Sequence, residues 1–138
     1  MREILFRAKS EDNYPYSSRW EYGIPFKDSY GNYVMKTTYG LVDVKKDTVG
    51  EFTGLTDKND VKVFEGDIFE YELGDGRKKT YVVEWSYCYL GLVAKEIESK
   101  PLDWVRTRID LLTRSALAVI GNVYDNPELL KGNDDTAD

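Results

Sequence analysis

The sequence predicts a mainly β protein with one or two short helices near its C-terminus. Three observations carry this. Apolar residues recur at every second position through much of the chain, the spacing of half-buried strands. Aromatic residues, which favour pleated surfaces, make up 14% of it. Three-four spacing, the mark of a helix face, is confined to the last third.

Taken in order, Ile4 to Lys9, Trp20 to Ile24, Tyr33 to Thr38, Leu41 to Val44 and Val49 to Phe52 are short strand candidates. Asn13-Tyr14-Pro15-Tyr16-Ser17-Ser18 reads as a loop, and Gly31-Asn32 and Lys58-Asn59-Asp60 as turns. The strongest local signal follows. In Ile68 to Leu73 one face carries Phe69, Tyr71 and Leu73, with Glu70 and Glu72 on the other. In Thr80 to Trp85 one face carries Tyr81, Val83 and Trp85. Between them Gly74-Asp75-Gly76-Arg77-Lys78 is a polar, glycine-rich link, so the pair reads as an antiparallel hairpin. A further strand is expected over Tyr87 to Lys95, with Gly91 inside it marking a bulge or a close backbone approach. Leu102, Val105, Ile109, Leu112 and Ala116 then follow helical spacing, which predicts a short helix over 103–113 starting at Asp103. Leu117 to Ile120 returns to strand character and reaches Gly121. Asn126 is a good cap and Pro127 a good first helical residue, which predicts one terminal helical turn. Residues 132–138 are polar and acidic, as in a disordered tail.

At 138 residues the chain is long enough for a real core. It has no histidine. That excludes Ser-His-Asp triads, Cys-His dyads, a histidine general base and His-ligated metals. With 19 basic and 25 acidic side chains the net charge is -6, which argues against broad capture of nucleic acid. The single cysteine, Cys88, cannot form an intramolecular disulfide and fits a reducing compartment. The start Met1-Arg2-Glu3-Ile4-Leu5-Phe6 lacks a signal-peptide core, and no apolar run approaches 18 residues. The expectation is a cytoplasmic protein with no membrane partner.

Few residues invite chemistry. Asp57, Glu65 and Asp67 are carboxylates that can serve acid-base work or a divalent cation. Asp57 to Asp60 is better explained as turn chemistry, and Glu65-Gly66-Asp67 as a bend in which Gly66 supplies an unusual φ. Cys88 between Tyr87 and Tyr89 is expected to be a small buried hydrophobe rather than a nucleophile, since it lacks a histidine activator. No cofactor or metal is expected. Gly74 and Gly76 lack the ending of a phosphate-binding loop.

The aromatic residues are the open question. Tyr14, Tyr16, Trp20, Tyr22, Phe26, Tyr30 and Tyr33 crowd the N-terminal quarter, with Arg19, Lys27 and Lys36 among them. They suit a β core, a protein interface or a surface that stacks single-stranded bases. The acidic balance ranks the nucleic-acid reading last. For an interface the candidates are Tyr14, Tyr16, Trp20, Tyr22 and Tyr30. Arg106, Arg108 and Arg114 with Arg77-Lys78-Lys79 can form a basic patch, although a solvated face with intrachain partners explains them better.

Three segments in order resemble the YopX-like family of small phage and prophage proteins. They are Arg2-Glu3-Ile4-Leu5-Phe6-Arg7-Ala8; Phe52-Thr53-Gly54-Leu55-Thr56-Asp57-Lys58-Asn59, continuing through Val63-Phe64-Glu65-Gly66-Asp67-Ile68; and Val119-Ile120-Gly121-Asn122-Val123-Tyr124-Asp125-Asn126-Pro127-Glu128-Leu129-Leu130. The chain departs from the family pattern at Lys9-Ser10, where Trp-Asp is usual, and at Asn59-Asp60, where Asn-Gly is usual. Asp still tolerates a left-handed turn position.

The resemblance implies one domain over 1–131, with an N-terminal β region at 1–50 and a small SH3-type barrel at 51–131. It supplies no activity and no catalytic residues. It makes Gly54, Asp57, Asn59, Gly66, Asp67, Gly121, Asn122, Asn126 and Pro127 structural motif positions. The expected function is that of a non-enzymatic accessory protein in the host bacterial cytoplasm. It would bind a phage or host protein and self-associate as a homo-oligomer, a nucleic-acid regulator being the alternative.

Overall fold

The structure is a computed structural model that describes residues 3–12, 18–97 and 106–131. It is mainly β. The strands are β1 (Phe6–Lys9), β2 (Trp20–Lys27), β3 (Tyr33–Thr37), β4 (Gly40–Asp43), β5 (Gly50–Thr56), β6 (Lys62–Phe64), β7 (Asp67–Glu72), β8 (Lys78–Ser86), β9 (Gly91–Glu96), β10 (Arg106–Arg108) and β11 (Leu117–Asn122). The chain divides into two compact units between Phe52 and Thr53, inside β5.

In the first unit the strand order is β4-β3-β2-β1-β5. β2 serves two partners. Its first half pairs with β1, from Lys9↔Trp20 to Phe6↔Gly23, and its second half with β3, from Ile24↔Lys36 to Lys27↔Tyr33. The change falls at Gly23, where a Cβ would collide with the Lys36 carbonyl. Strand alternation sends Ala8 and Met35 to one face, where they are fully buried with Val44. Phe6, Tyr33, Val42 and Val49 pack against them.

In the second unit β5 continues beside β6, and a five-stranded antiparallel sheet has the order β10-β9-β8-β7-β11. The predicted hairpin is β7–β8, with Phe69 directly opposite Tyr81. Their rings stack at 5.4 Å, and Tyr71 meets Tyr81 edge-on at 6.3 Å. These residues join Val63, Val83, Ala94 and Leu117 in the larger core.

Three expectations are corrected. Among the described residues the SH3-type barrel is not closed, because no further strand pairs with β10 or β11 at the two ends of this sheet. The outer side of β11 is occupied by the turn at Asp57-Lys58 instead of another strand. The helix over 103–113 is replaced, so far as it is described, by β10 pairing with β9 and by 3-10 turns at Ile109–Leu111 and Arg114–Ala116; residues 98–105 lie outside the described residues. Ile109 and Leu112 do pack on the core, so the apolar spacing was real. A helix this short has little stability of its own, and the edge of β9 offers the backbone a ladder. The third correction is Gly91, which opens β9 rather than interrupting it and would tolerate a Cβ.

The C-terminal turn Pro127–Lys131 is also 3-10 rather than α-helical. The strand β6 was missed because three residues are too few for periodicity to register. The tail at 132–138 lies outside the described residues. Among the described residues no helix is long and apolar enough to cross a membrane.

Candidate interaction surface

The face of the first sheet opposite its core carries Trp20, Tyr22, Ile24 and Phe26 at alternate positions of β2. Trp20 is half-buried, with the Arg7 guanidinium 4.4 Å and the Lys9 ammonium 5.5 Å from its ring centroid. The next three stay substantially in water, at 48%, 47% and 42% exposure. A single exposed hydrophobe is unremarkable, but an uninterrupted stripe of them on one strand is not. Across the register, Arg7 lies opposite Tyr22, Lys36 opposite Ile24, and the buried Val34 opposite Phe26. Lys36 is exposed and makes no ion pair among the described residues.

Of the five interface candidates, Tyr14 and Tyr16 lie outside the described residues. Trp20 and Tyr22 belong to the stripe. Tyr30 sits apart, 89% exposed at the tip of the β2–β3 turn. Asp28 Oδ1 holds that turn by accepting from Tyr30 N–H (2.9 Å) and Asn32 N–H (2.8 Å). Sequence reasoning did not include Ile24. Its alternation with Tyr22 and Phe26 was visible, but alternation marks a face without saying whether anything covers it.

A second exposed apolar segment, Trp85 with Tyr87, Tyr89 and Leu90, lies at the β8–β9 connection. The sequence predicts Trp85 at the end of one strand and Tyr87, Tyr89 and Leu90 at the start of the next. In fact residues 87–90 are a turn, with Leu90 left-handed at φ 53°. Cys88 is in that turn and exposed, which corrects the buried-hydrophobe expectation. A turn lifts its side chain off the sheet, where no core can cover it.

The motif residues form hydrogen-bonded corners in the second unit. Asp57 is 1% exposed. Its Oδ1 accepts from Asn59 N–H (2.8 Å) and Val61 N–H (2.9 Å), and its Oδ2 from Val119 N–H (2.9 Å). Burial pushes this carboxyl up, but the N–H groups of Val119, Val61 and Asn59 and the nearby Arg114 charge outweigh it, so it lies below its ordinary value. Asp60 takes the left-handed turn position at φ 64°, and Gly54 and Gly66 have φ of 88° and 93°.

Asp67 is buried, and its Oδ2 accepts from Phe64 N–H at 2.7 Å. Gly66 N–H donates to the Val83 carbonyl and its own carbonyl accepts from Val123 N–H. Asn122 Oδ1 accepts from the N–H groups of Tyr124 and Asp125, while Asn126 Oδ1 accepts from Asn122 N–H. A Cβ on Gly121 would lie 2.5 Å from Asn126 Oδ1, so only glycine fits beside this side chain. Pro127 then opens the last 3-10 turn.

These corners are structural in what they touch. Asp57 accepts backbone N–H groups with both of its oxygens, and Asp67 accepts one with Oδ2. Among the described residues no three His, Cys, Asp or Glu side chains gather as a metal site requires. Four of the candidate basic-patch residues pair with carboxylates, Arg77 with Asp75, Lys79 with Glu96, Arg108 with Asp110 and Arg114 with Asp60, while Lys78 is exposed. The Arg106 side chain lies outside what is described.

A family model described as "YopX protein" matches residues 5–131. A crystal structure of protein EF1440 from Enterococcus faecalis is similar in fold, with a TM-score of 0.53 and 24% identity. The similarity covers 94% of this chain and 99% of that one. No curated protein matches the chain.

Proposed function

The chain belongs to the YopX family, and on that premise we propose that it is a non-enzymatic accessory protein of a phage or prophage, acting in the bacterial cytoplasm. It is a β-sheet interaction module that docks a phage or host protein on the exposed face of β2, and it self-associates. The observation that carries this reading is the stripe Tyr22, Ile24 and Phe26, three large side chains in line with half their surface in water. Aromatic and aliphatic anchors of this kind dominate protein-binding energy when a partner excludes water from them. The pairing of Arg77, Lys79, Arg108 and Arg114 with acidic neighbours weighs against the nucleic-acid alternative.

The test compares capture from host lysate, at near-physiological salt, by the wild type and by a variant with Tyr22, Ile24 and Phe26 all changed to serine. A specific protein retained by the wild type and lost by the folded variant is the expected result. Equal capture by both, or none by either, overturns the assignment to this face. Sedimentation of the wild type over a range of concentrations tests self-association, and a strict monomer removes that half of the proposal.

A further inference from the structure

The strand at the end of an antiparallel sheet presents outward N–H and C=O groups that recruit other strands. β11 is such a strand, and its composition invites pairing. Residues 115–121, Ser-Ala-Leu-Ala-Val-Ile-Gly, carry neither charge nor proline. Yet the outward groups on either side of Ala118 are both engaged. The Leu117 carbonyl accepts from Lys58 N–H at 2.9 Å, and Val119 N–H donates to Asp57 Oδ2 at 2.9 Å. In a sheet ladder those two positions are filled by the N–H and C=O of a neighbouring strand. Here the donor is true backbone, and the Asp57 carboxylate stands where a partner's carbonyl would.

The turn that delivers these groups is held in shape. Asp57 N–H donates to the Val61 carbonyl at 2.8 Å, while Oδ1 gathers the N–H groups of Asn59 and Val61. From outside, Arg114 pairs with Asp60 and donates to Thr56 Oγ1 at 2.9 Å.

We infer that the Asp57-Lys58 turn is a resident strand mimic that guards β11, and that the edge beneath it takes β11 of a second copy once the turn is released. The second copy is the occupant for an electrostatic reason. A chain of net charge -6 carries a net repulsion against its own copy, whereas an uncharged strand meets no like charge when it pairs with itself. Antiparallel pairing of one strand with its own copy is also the self-complementary contact that closes a two-fold dimer. This inference concerns a different surface from β2 and stands independently of what docks there.

The test uses the full chain with Asp57→Asn and Arg114→Gln. An amide has one acceptor oxygen where the carboxylate uses two, so Asp57→Asn cannot serve all three N–H groups. Arg114→Gln loosens the turn from its exposed side and keeps those bonds, so it decides the matter should Asp57→Asn fail to fold. Exchange of the Val119 amide is expected to quicken roughly 10–100-fold in Asp57→Asn, the equivalent of one charged hydrogen bond. The exchange in Arg114→Gln should quicken less. Both variants should sediment as larger species than the wild type at high concentration. Adding Val119→Pro, which removes the outward donor, should return Asp57→Asn to wild-type sedimentation. Unchanged sedimentation, with or without faster exchange, overturns the inference, as does association beyond the wild type's that survives Val119→Pro.

Discussion

In the second unit Phe69 lies flat on Tyr81 in mid-sheet, fully buried, with Tyr71 closing the edge. In the first unit Tyr22 and Phe26 hold comparable positions along β2 and remain nearly half in water. The two sheets use the same residue types in the same alternation and bury opposite amounts of them. The difference lies in what each sheet has to spare. The second unit encloses its aromatic face with Val63, Val83, Ala94 and Leu117. The core of the first is built on Ala8, Met35 and Val44 on the far face of its sheet, so its β2 stripe adds little to that core. Aromatic rings that do not support a core are available for binding.

The largest effect is expected at Phe69. Truncation to alanine removes a stacked ring from a closed core and should cost about 3–5 kcal/mol. Phe26→Ala, the same chemical change in the first unit, should cost under about 1 kcal/mol because much of that ring is already solvated. Denaturant midpoints of the two variants measure the contrast directly. Similar costs would mean that the β2 stripe is core after all.

Next is the Asp57 corner. Asp57→Ala leaves the Asn59, Val61 and Val119 N–H groups to find other acceptors and should cost about 2–3 kcal/mol. The same carboxyl gives a pH dependence. Its value in the folded chain is lowered from an ordinary 3.8. Its contribution is therefore present above the ordinary carboxylate value. It is lost as pH falls below that value through the depressed one. Subtracting the stability profile of Asp57→Asn from that of the wild type should isolate this loss. A flat difference below the ordinary carboxylate range would place the support of the corner elsewhere. No such dependence is expected from the β2 stripe, which contains no carboxylate.

How much of this was legible in the sequence follows the same division. The β7–β8 hairpin was readable because alternation and turn chemistry agreed over consecutive residues, and Asp57, Gly66 and Asp67 were readable as turn residues. What periodicity misses is tertiary competition. Ile109 and Leu112 have helical spacing and reach the core, but the free edge of β9 draws Arg106–Arg108 into a strand first. The role of Asp57 Oδ2 was illegible because Val119 is distant in sequence and only the fold brings its N–H to that oxygen. The β2 stripe was half legible. The aromatic cluster was visible, whereas Ile24 was readable only as a strand residue, because alternation cannot distinguish a covered face from a bare one. Exposure of the Tyr87 to Leu90 turn depended on where β8 stops, a boundary that composition does not set.

Gly121 offers a smaller test of the second unit. A methyl there meets the Asn126 amide at 2.5 Å, so Gly121→Ala should cost about 1–3 kcal/mol through strain. Asn126→Ala removes the obstacle along with its bond to Asn122 N–H. The double variant should be more stable than the sum of the two losses predicts, because the clash disappears with the amide. Thermal unfolding of the four-member set measures the coupling. Additive losses would show that the Gly121 requirement lies in its backbone and not in Asn126.

The smallest stability change is expected where the functional change is greatest. Tyr22→Ser alone should shift stability by less than about 1 kcal/mol, since that side chain is half solvated and lies off the core face. If β2 docks a protein, the same substitution removes a central anchor and should weaken capture at least tenfold, the effect of about 1.4 kcal/mol. The two readouts pull apart only for a residue whose burial comes from a partner. A core residue would lose both together, and a bystander would lose neither. Tyr30→Ser is the internal control, being exposed on the turn that follows β2 rather than on the strand itself. Loss of capture at Tyr22 with retention at Tyr30 places the interface on the sheet face. The reverse moves it to the turn and leaves the stripe of Tyr22, Ile24 and Phe26 without a role.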